Sequence, residues 1–598
     1  MEAAGLLVGI ISLVATCSQG YDAILAFGTF PKDSEVLYWQ LKTQESRLEI
    51  WSILFGLKKL PIEASGPNVL GEKPGSSALS SLNHSPNIVK TVHGILSSMQ
   101  EILLDSKRLT DRYGLSYSDV AFQATPSVYE PEGSRTSATG DAASSPSIKR
   151  AHTFSFGRVR WVVRDKRSFE RLIYDLRILN EGLEATLPFS NQHVANFMLA
   201  SQMASAAGNA TDLQRLQDAS GDLPQVQAIS AFKALNISSE NDDSRRSGFG
   251  AEEIPFTHLI FGEGQDVQGT SLCLATLMSS HESQQVLVEW KFLGDVARSD
   301  DSFRATYKRV QDLVFLLHRA QKLPDLPCLD SLGFTVDRFR SRIGLILSAP
   351  RAIEGNEEMS WPISMIGSLG ALVKLWTSLH EMIHLRPKLP ILGHRIALAV
   401  TLVKCLIELH STSWFHKSFR SSNVLFFNSV ESGGVEPPRF PNITQPWIVG
   451  FGLARPNSKA EFSDVVMPEH GADMMYMHPD YLQSEAMGHM QPPTVTKLDR
   501  QRFEADYDMY SLGCVLLEIG LWRRLCDIWK PEYERQGYFR WSHRLRDKWA
   551  VELGGRCGAT YQSIVEDLLS RGFDSHDSVR RAPMTNLQLV AALETLTI

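Results

Sequence analysis

Cysteine is scarce and scattered in this sequence: seven in 598 residues, at Cys17, Cys273, Cys328, Cys405, Cys514, Cys526 and Cys557, with no Cys-x-x-Cys pair and no metal-ligand spacing. That excludes a disulfide scaffold or a zinc ribbon and fits a reducing, cytoplasmic compartment. Basic excess is also missing. The net charge is −7, which gives no reason to expect nucleic acid as a partner. No basic segment precedes the first apolar stretch, so a secretory leader is not expected. The run from Met1 to Thr16 is apolar apart from Glu2 and Ser12, but Gln19 and Asp22 interrupt it. A constitutive membrane span needs ~20 apolar residues, so the expectation is a short amphipathic or buried helix. Gly5 and Gly9 give that helix a spacing of small residues that permits close helix contact.

What remains is ordinary soluble-protein material. Hydrophobic residues make up 43% and charged residues 21%, close to globular averages. The length is enough for roughly two to four domains.

Residues 1–200 read as helices. Leu6, Ile10, Leu13 and Cys17 recur at helical spacing, as do Leu37, Leu41, Leu48, Trp51 and Phe55. Ile88, Val92, Ile95, Met99 and Ile102 form another stripe, and Phe169, Leu172, Leu176 and Leu179 a fourth. Each stripe needs a partner, so the pattern predicts an all-α helical bundle. Residues 61–86 are a Gly/Ser/Pro-rich loop and residues 124–147 a flexible insert. A basic stretch follows: Lys149, Arg150, Arg158, Arg160, Arg164, Lys166 and Arg167. It is either a solvated face or a surface for an anionic membrane. Residues 201–250 are polar and read as a domain linker. Beyond them, strand-like runs precede long apolar helices, which predicts an α+β domain in two lobes: residues 251–350, then 351–598.

The chemistry-bearing residues lie in that second domain. Trp414-Phe-His-Lys-Ser-Phe-Arg-Ser-Ser-Asn-Val-Leu-Phe426 resembles the protein-kinase catalytic loop, H-R-D-x-x-x-x-N. His416 falls on the histidine, Lys417 on the arginine, Ser418 on the aspartate and Asn423 on the asparagine. Trp447-Ile-Val-Gly450-Phe-Gly-Leu-Ala-Arg455 resembles the D-F-G segment, with Gly450 in place of the aspartate. Tyr476-Met-His-Pro-Asp480 is similar to the A-P-E segment. Asp506-Tyr-Asp508-Met-Tyr-Ser-Leu-Gly513 looks like the start of the helix that anchors the kinase C-lobe. Four pieces in the right order imply a bilobal kinase-like fold.

The same resemblance implies lost catalysis. In the template one aspartate orients the substrate hydroxyl and the other holds magnesium. Ser418 carries no carboxylate and Gly450 no side chain. Asn423 alone makes a poor site for a hard divalent cation. Lys291, in Val-Glu-Trp-Lys, is the candidate for the nucleotide-gripping lysine, but no glutamate follows before Lys322 and Asp312 is the helical acid nearby. Gly262, Gly264 and Gly269 miss the G-x-G-x-x-G spacing because Val267 stands where the third glycine belongs. The expectation is a pseudokinase, not an enzyme, with no metal, no required cofactor, and metal-free ATP binding through Lys291 and Asn423 left open. Side chains such as Trp290 are candidates to fill the pocket. His416 is expected to be a packed structural histidine.

The opening Ala4 to Cys17, Tyr21-Asp-Ala-Ile-Leu-Ala-Phe-Gly28, Ser46-Arg-Leu-Glu-Ile-Trp51, Trp161 to Glu170 and Leu176 to Pro188 together resemble the HeLo domain of fungal prion-inhibition and propagation proteins. That resemblance implies a helical bundle that forms homo-oligomers. It also implies a role in programmed cell death of the heterokaryon-incompatibility type and association with anionic membrane on activation. The combined expectation is a pseudokinase that answers an upstream signalling protein and controls the bundle. A non-catalytic scaffold and an atypical ATP-binding kinase are the alternatives.

Overall fold

The computed structural model describes residues 2–29, 35–57, 86–118, 160–239, 252–262, 271–278, 283–293, 300–320, 323, 325–349, 376–385, 388–427, 441–456, 471–482, 503–573 and 583–596. The insert at 124–147, most of the loop at 61–86, Lys149, Arg150, Arg158, Gly264, Gly269 and residues 240–250 of the expected linker lie outside them. The chain divides into two compact units, Met1–Glu49 with Ser81–Thr186 and Ile50–Ser80 with Leu187–Ile598.

The first unit is built on α1 (Glu2–Phe27), the start of α2 (Glu35–Leu54), α3 (Pro86–Leu104), α4 (Ser106–Asp111) and α5 (Lys166–Glu184). The short first helix expected from sequence is in fact 26 residues long and unbroken. Gln19 and Asp22 do not interrupt it because both lie on its exposed face, while Ile10, Val14, Cys17, Tyr21 and Ile24 are buried. Its segment Val8–Ala26 is long and apolar enough to cross a membrane by length and composition, and only 39% of it is buried. Helix α1 packs on α3, with Cys17 Sγ 3.6 Å from the Leu96 carbonyl oxygen. On α3 the expected Val92, Met99 and Ile102 are buried, joined by Val89, Leu96 and Leu103, while Ile88 is exposed and Ile95 half-buried. Helices α2 and α5 are joined by a bidentate Arg47–Glu184 pair at 2.7 and 2.6 Å, and Asn180 Nδ2 donates to the Gln44 carbonyl at 2.9 Å.

The all-α expectation needs one correction. Three strands, β1 (Gly28–Thr29), β2 (Leu115–Ser118) and β3 (Arg160–Val163), form a small sheet in the order β1-β3-β2. Trp161, Val162 and Val163 are β-formers, and a four-residue run is too short to show a helical period.

The second unit takes in the end of α2 and then α6 (Phe189–Ala206), α7 (Ala210–Ala219) and α8 (Pro224–Ser239). The last three occupy most of what reads as polar linker. Their apolar residues are few but helically spaced: Leu213 and Leu216, then Val226, Ile229 and Phe232, are all buried. Composition averaged over the stretch hides that spacing. Lys233 Nζ donates to the Ala204 carbonyl at 2.8 Å, tying α8 to α6.

A five-stranded antiparallel sheet follows, in the order β4-β5-β6-β8-β7. Its strands are β4 (Leu259–Phe261), β5 (Leu272–Met278), β6 (Ser283–Phe292), β7 (Ser331–Asp337) and β8 (Arg342–Ser348), with α9 (Asp300–Ala320) between β6 and β7 and packed on β7. Successive strand residues face opposite sides. Val288 and Trp290 therefore enter one core with Leu259, Cys273 and Ile346, leaving Glu289 and Lys291 for the other face.

The remainder is mostly helical, with short strands at its start. In chain order come β9 (Trp376–Ser378), α10 (Leu379–Leu385), α11 (Leu392–Ser411), β10 (Trp414–Phe415), β11 (Val424–Phe427), β12 (Trp447–Ile448), β13 (Arg455–Pro456), α12 (Ala505–Leu521), α13 (Pro531–Arg544), α14 (Ala559–Leu568) and α15 (Asn586–Glu594). Helix α12 is buried on every side from Tyr507 to Leu521, as expected of a helix at the centre of a domain. Gly513 and Gly520 let α12 approach Leu568 and Leu553 closely.

Gly20 sets a similar approach in the first unit. A Cβ there would lie 2.8 Å from Leu103 Cβ, whereas one at Gly94 on α3 would meet nothing within 4 Å. Gly20→Val is therefore expected to destabilise the protein by about 1–3 kcal/mol through overpacking. Gly94→Ala is expected to stabilise it by about 0.5–1 kcal/mol. Chemical denaturation of the two variants distinguishes the effects, which have opposite sign.

Candidate functional site

The residues singled out in the second unit converge on one place. The loop from β10 to β11 carries His416, Ser418 and Asn423, and the turn after β12 carries Gly450. Asp508, in the first turn of α12, anchors the loop. Its carboxylate is fully buried and accepts the backbone N–H groups of His416 and Lys417, both at 2.8 Å, with His410 Nε2 at 3.2 Å. These bonds hold Lys417 at φ 63, a left-handed conformation that costs a non-glycine residue energy. Lys417 Nζ sits 5.4 Å from the Tyr481 ring and 5.2 Å from the Phe503 ring.

His416 is buried and wedged between Phe419 and Phe451, with ring centroids at 5.4 and 4.8 Å. Its Nε2 lies 3.2 Å from the Val449 carbonyl, and its Nδ1 lies 3.3 Å from the Ser418 backbone N–H. The two contacts together fit a neutral ring with its proton on Nε2. Burial pulls its pKa down to about 4, against a smaller opposing pull from Asp508. A histidine so enclosed has no nucleophile to activate.

Asn423 turns inward. Its Nδ2 donates to the Ser418 carbonyl at 2.8 Å and to Ser418 Oγ at 3.2 Å, and its own carbonyl accepts the Val449 N–H at 3.0 Å. Gly450 has φ 88, and a Cβ built on it would stand 2.1 Å from Asn423 Nδ2. The amide of Asn423 therefore fills the space that a side chain at position 450 would need. Among the described residues no group of three His, Cys, Asp or Glu side chains is placed to hold a metal ion.

The opposing wall is β6. Lys291 is half-buried there, and its Cβ lies 3.8 Å from where a Gly452 Cβ would be. Asp312 is buried on α9. Trp290 does not enter this space: it packs in the sheet core, donates its ring N–H to Cys273 Sγ at 3.1 Å and covers the Arg342 guanidinium at 3.8 Å. Glu289 enters instead. Its two carboxylate oxygens accept the backbone N–H groups of Gly450 at 2.8 Å and Gly452 at 2.9 Å. Burial raises its pKa, opposed by those amides and by Arg420. Sequence reasoning passed over Glu289, although period-two alternation from Lys291 places it on the same face.

A second buried carboxylate ties the segment after this site to the helical core. Glu518 Oε1 accepts the Tyr476 hydroxyl and the Leu525 N–H, both at 2.7 Å, and Tyr476 Oη is 3.0 Å from Ser421 Oγ. Burial raises Glu518 to about 7. Glu408 on α11 is raised to about 8, by burial first and Asp325 second. His478, stacked on Tyr507 at 4.6 Å, is lowered to about 4 by burial.

Residues 3–216 match the family model HeLo, described as prion-inhibition and propagation. The N-terminal resemblance thus stands over those residues, and the match does not extend to residues 217–598. It runs past the end of the first compact unit at Thr186 into α6 and α7. No curated protein matches the chain.

The buried acids and histidines set a pH profile. Glu518 and Glu408 hold protons more tightly folded than at the ordinary 4.5, so their contribution is complete below 4.5 and is lost as pH rises through about 7 and about 8. His416 and His478 hold protons less tightly than at 6.5, so theirs is complete above 6.5 and is lost as pH falls toward about 4. The two pairs oppose each other between 4.5 and 6.5, and only the acids act above. Melting temperature is expected to fall from pH 6.5 to pH 8, and Glu408→Gln should flatten that fall. A rise over the same range would contradict the assignment.

Proposed function

We propose that this protein is a non-catalytic signalling protein of the fungal cell-death and incompatibility type. In this reading the C-terminal unit is a pseudokinase that controls a HeLo-type helical bundle. The observation that carries the reading is the HeLo match over residues 3–216. The site in the second unit supports its regulatory half. Ser418 and Gly450 stand where phosphoryl transfer needs carboxylates, and Asn423 spends its amide on Ser418.

The bundle is the effector. Val8 is 70% and Ile11 51% exposed on α1, within the segment long and apolar enough to cross a membrane. Arg164, Lys166 and Arg167 are exposed at the start of α5 and supply charge for anionic lipid. An upstream signal favours one state of the pseudokinase, the bundle self-associates, and it moves from the cytoplasm to membrane. The signal works only through differential affinity for the two states. No metal or nucleotide is required at any step.

Two tests bear on the two halves. The activated full-length protein is expected to release dye from phosphatidylserine vesicles, and Val8→Glu with Ile11→Glu should abolish release. Leakage unchanged by the double variant would remove α1 from the mechanism. In the second unit, Ser418→Asp with Gly450→Asp is expected to give no phosphate transfer from radiolabelled ATP. It should also lose about 1–3 kcal/mol of stability, from the positive φ at position 450. Magnesium-dependent phosphate release by wild type that disappears on Lys291→Ala would restore the atypical-kinase alternative.

A further inference from the structure

The face of β6 that carries Lys291 also carries Glu289, two residues earlier, so the lysine has a carboxylate beside it on the same strand. Glu289 is only 6% exposed. It uses one carboxylate oxygen on the N–H of Gly450 and the other on the N–H of Gly452. The segment is drawn tightly onto the strand: a Cβ at Gly452 would stand 3.6 Å from Glu289 Oε1 and 3.8 Å from Lys291 Cβ. Both are ordinary contact distances, so the gap between strand and segment holds little more than the Glu289 carboxylate that bridges them. Gly450 is pressed from the opposite side by Asn423.

We propose that Glu289 is a built-in competitor for nucleotide: its carboxylate clamps the Gly450–Gly452 segment onto β6 and shuts the triphosphate out of the cleft. This deepens the pseudokinase reading and rests on it. The carboxylate takes the segment's amides and sets a negative charge beside Lys291. An incoming triphosphate would have to break both hydrogen bonds and approach a like charge. The clamp also joins the five-stranded sheet to the helical part of the unit.

The experiment uses the full-length chain and a fluorescent ATP analogue, with EDTA and separately with magnesium. Wild type is expected to show no saturable binding in either. Glu289→Ala should bind at least about ten-fold more tightly, since like-charge juxtaposition costs several kcal/mol. Glu289→Gln, which keeps the bulk without the charge, should fall between. Saturable binding by wild type equal to that of Glu289→Ala overturns the proposal. So does a folded Glu289→Ala that binds no better than wild type. If Glu289→Ala does not fold, hydrogen exchange on wild type decides: slow exchange at the amides of Gly450 and Gly452 supports the clamp, and exchange at the rate of an open loop overturns it. Phosphate transfer by wild type would instead sink the pseudokinase reading, whatever the affinity of the variant.

Discussion

The carboxylate of Asp508 holds the second unit's central loop in place. At zero exposure on α12 it could not remain charged without partners, because an isolated buried carboxylate is prohibitively costly. The partners are the N–H groups of His416 and Lys417 and the ring of His410. Moving the loop would strand that charge, so the strained backbone at Lys417 is tolerated. The rest follows in sequence. The fixed loop presents Ser418 to Asn423, Asn423 packs against Gly450, and the segment from Gly450 to Gly452 offers its amides to Glu289 on the sheet. One buried charge in the helical core thus sets the position of a second on the sheet.

Much of this was legible in the sequence, and the failures have physical causes. The loop Trp414–Phe426 and the turn at Gly450 do come together, because their spacing reflects a backbone path between a buried helix and a sheet. Lys291 lies on the strand that its motif implies, and the motif does not flag Glu289 two residues before it. Trp290 is one candidate filler by its place beside Lys291. Alternation sends it to the opposite face, where it packs with Cys273 and over Arg342. The stretch from 201 to 239 read as linker because Asn, Ser and Gln dominate its composition. Two or three leucine-sized residues per helix, correctly spaced, are enough to fold it against neighbours. The three-stranded sheet of the first unit was missed for the opposite reason: strands of two to four residues are too short to display a period.

The division of the chain also differs from its composition. The HeLo match ends at residue 216, whereas the first compact unit ends at Thr186. Helix α6, inside the match, packs within the second unit, where Phe197 lies 5.6 Å from Lys404 Nζ and Ser205 lies 3.4 Å from Ser411 on α11. Ser411 is three residues before the loop that Asp508 anchors. The matched segment and the candidate site therefore share one helix, α11, as a support.

That arrangement bears on how a signal could be read. A kinase-type cleft with two aspartates depends on cations and phosphates to neutralise its charge, so its closure reports nucleotide. In the proposed pseudokinase reading the corresponding positions are neutral, and among the described residues Glu289 is the carboxylate bonded to the amides of the segment. Under that reading closure would not depend on nucleotide. Under the same reading, a signal acts at least cost where the loop meets groups that can be moved without stranding a buried charge. Arg420 is one such group. It pairs with Asp473 at 2.5 Å, both side chains are partly exposed, and Asp473 belongs to the segment that ends at Tyr476. Breaking that pair costs little in itself, since partly solvated ion pairs contribute modestly. It would nevertheless free one end of a segment whose other end is held by Glu518. Under the proposed reading, a partner or modification acting on the segment would work against a weak pair rather than against Asp508, and that difference in cost singles out the segment as the part of the site to switch.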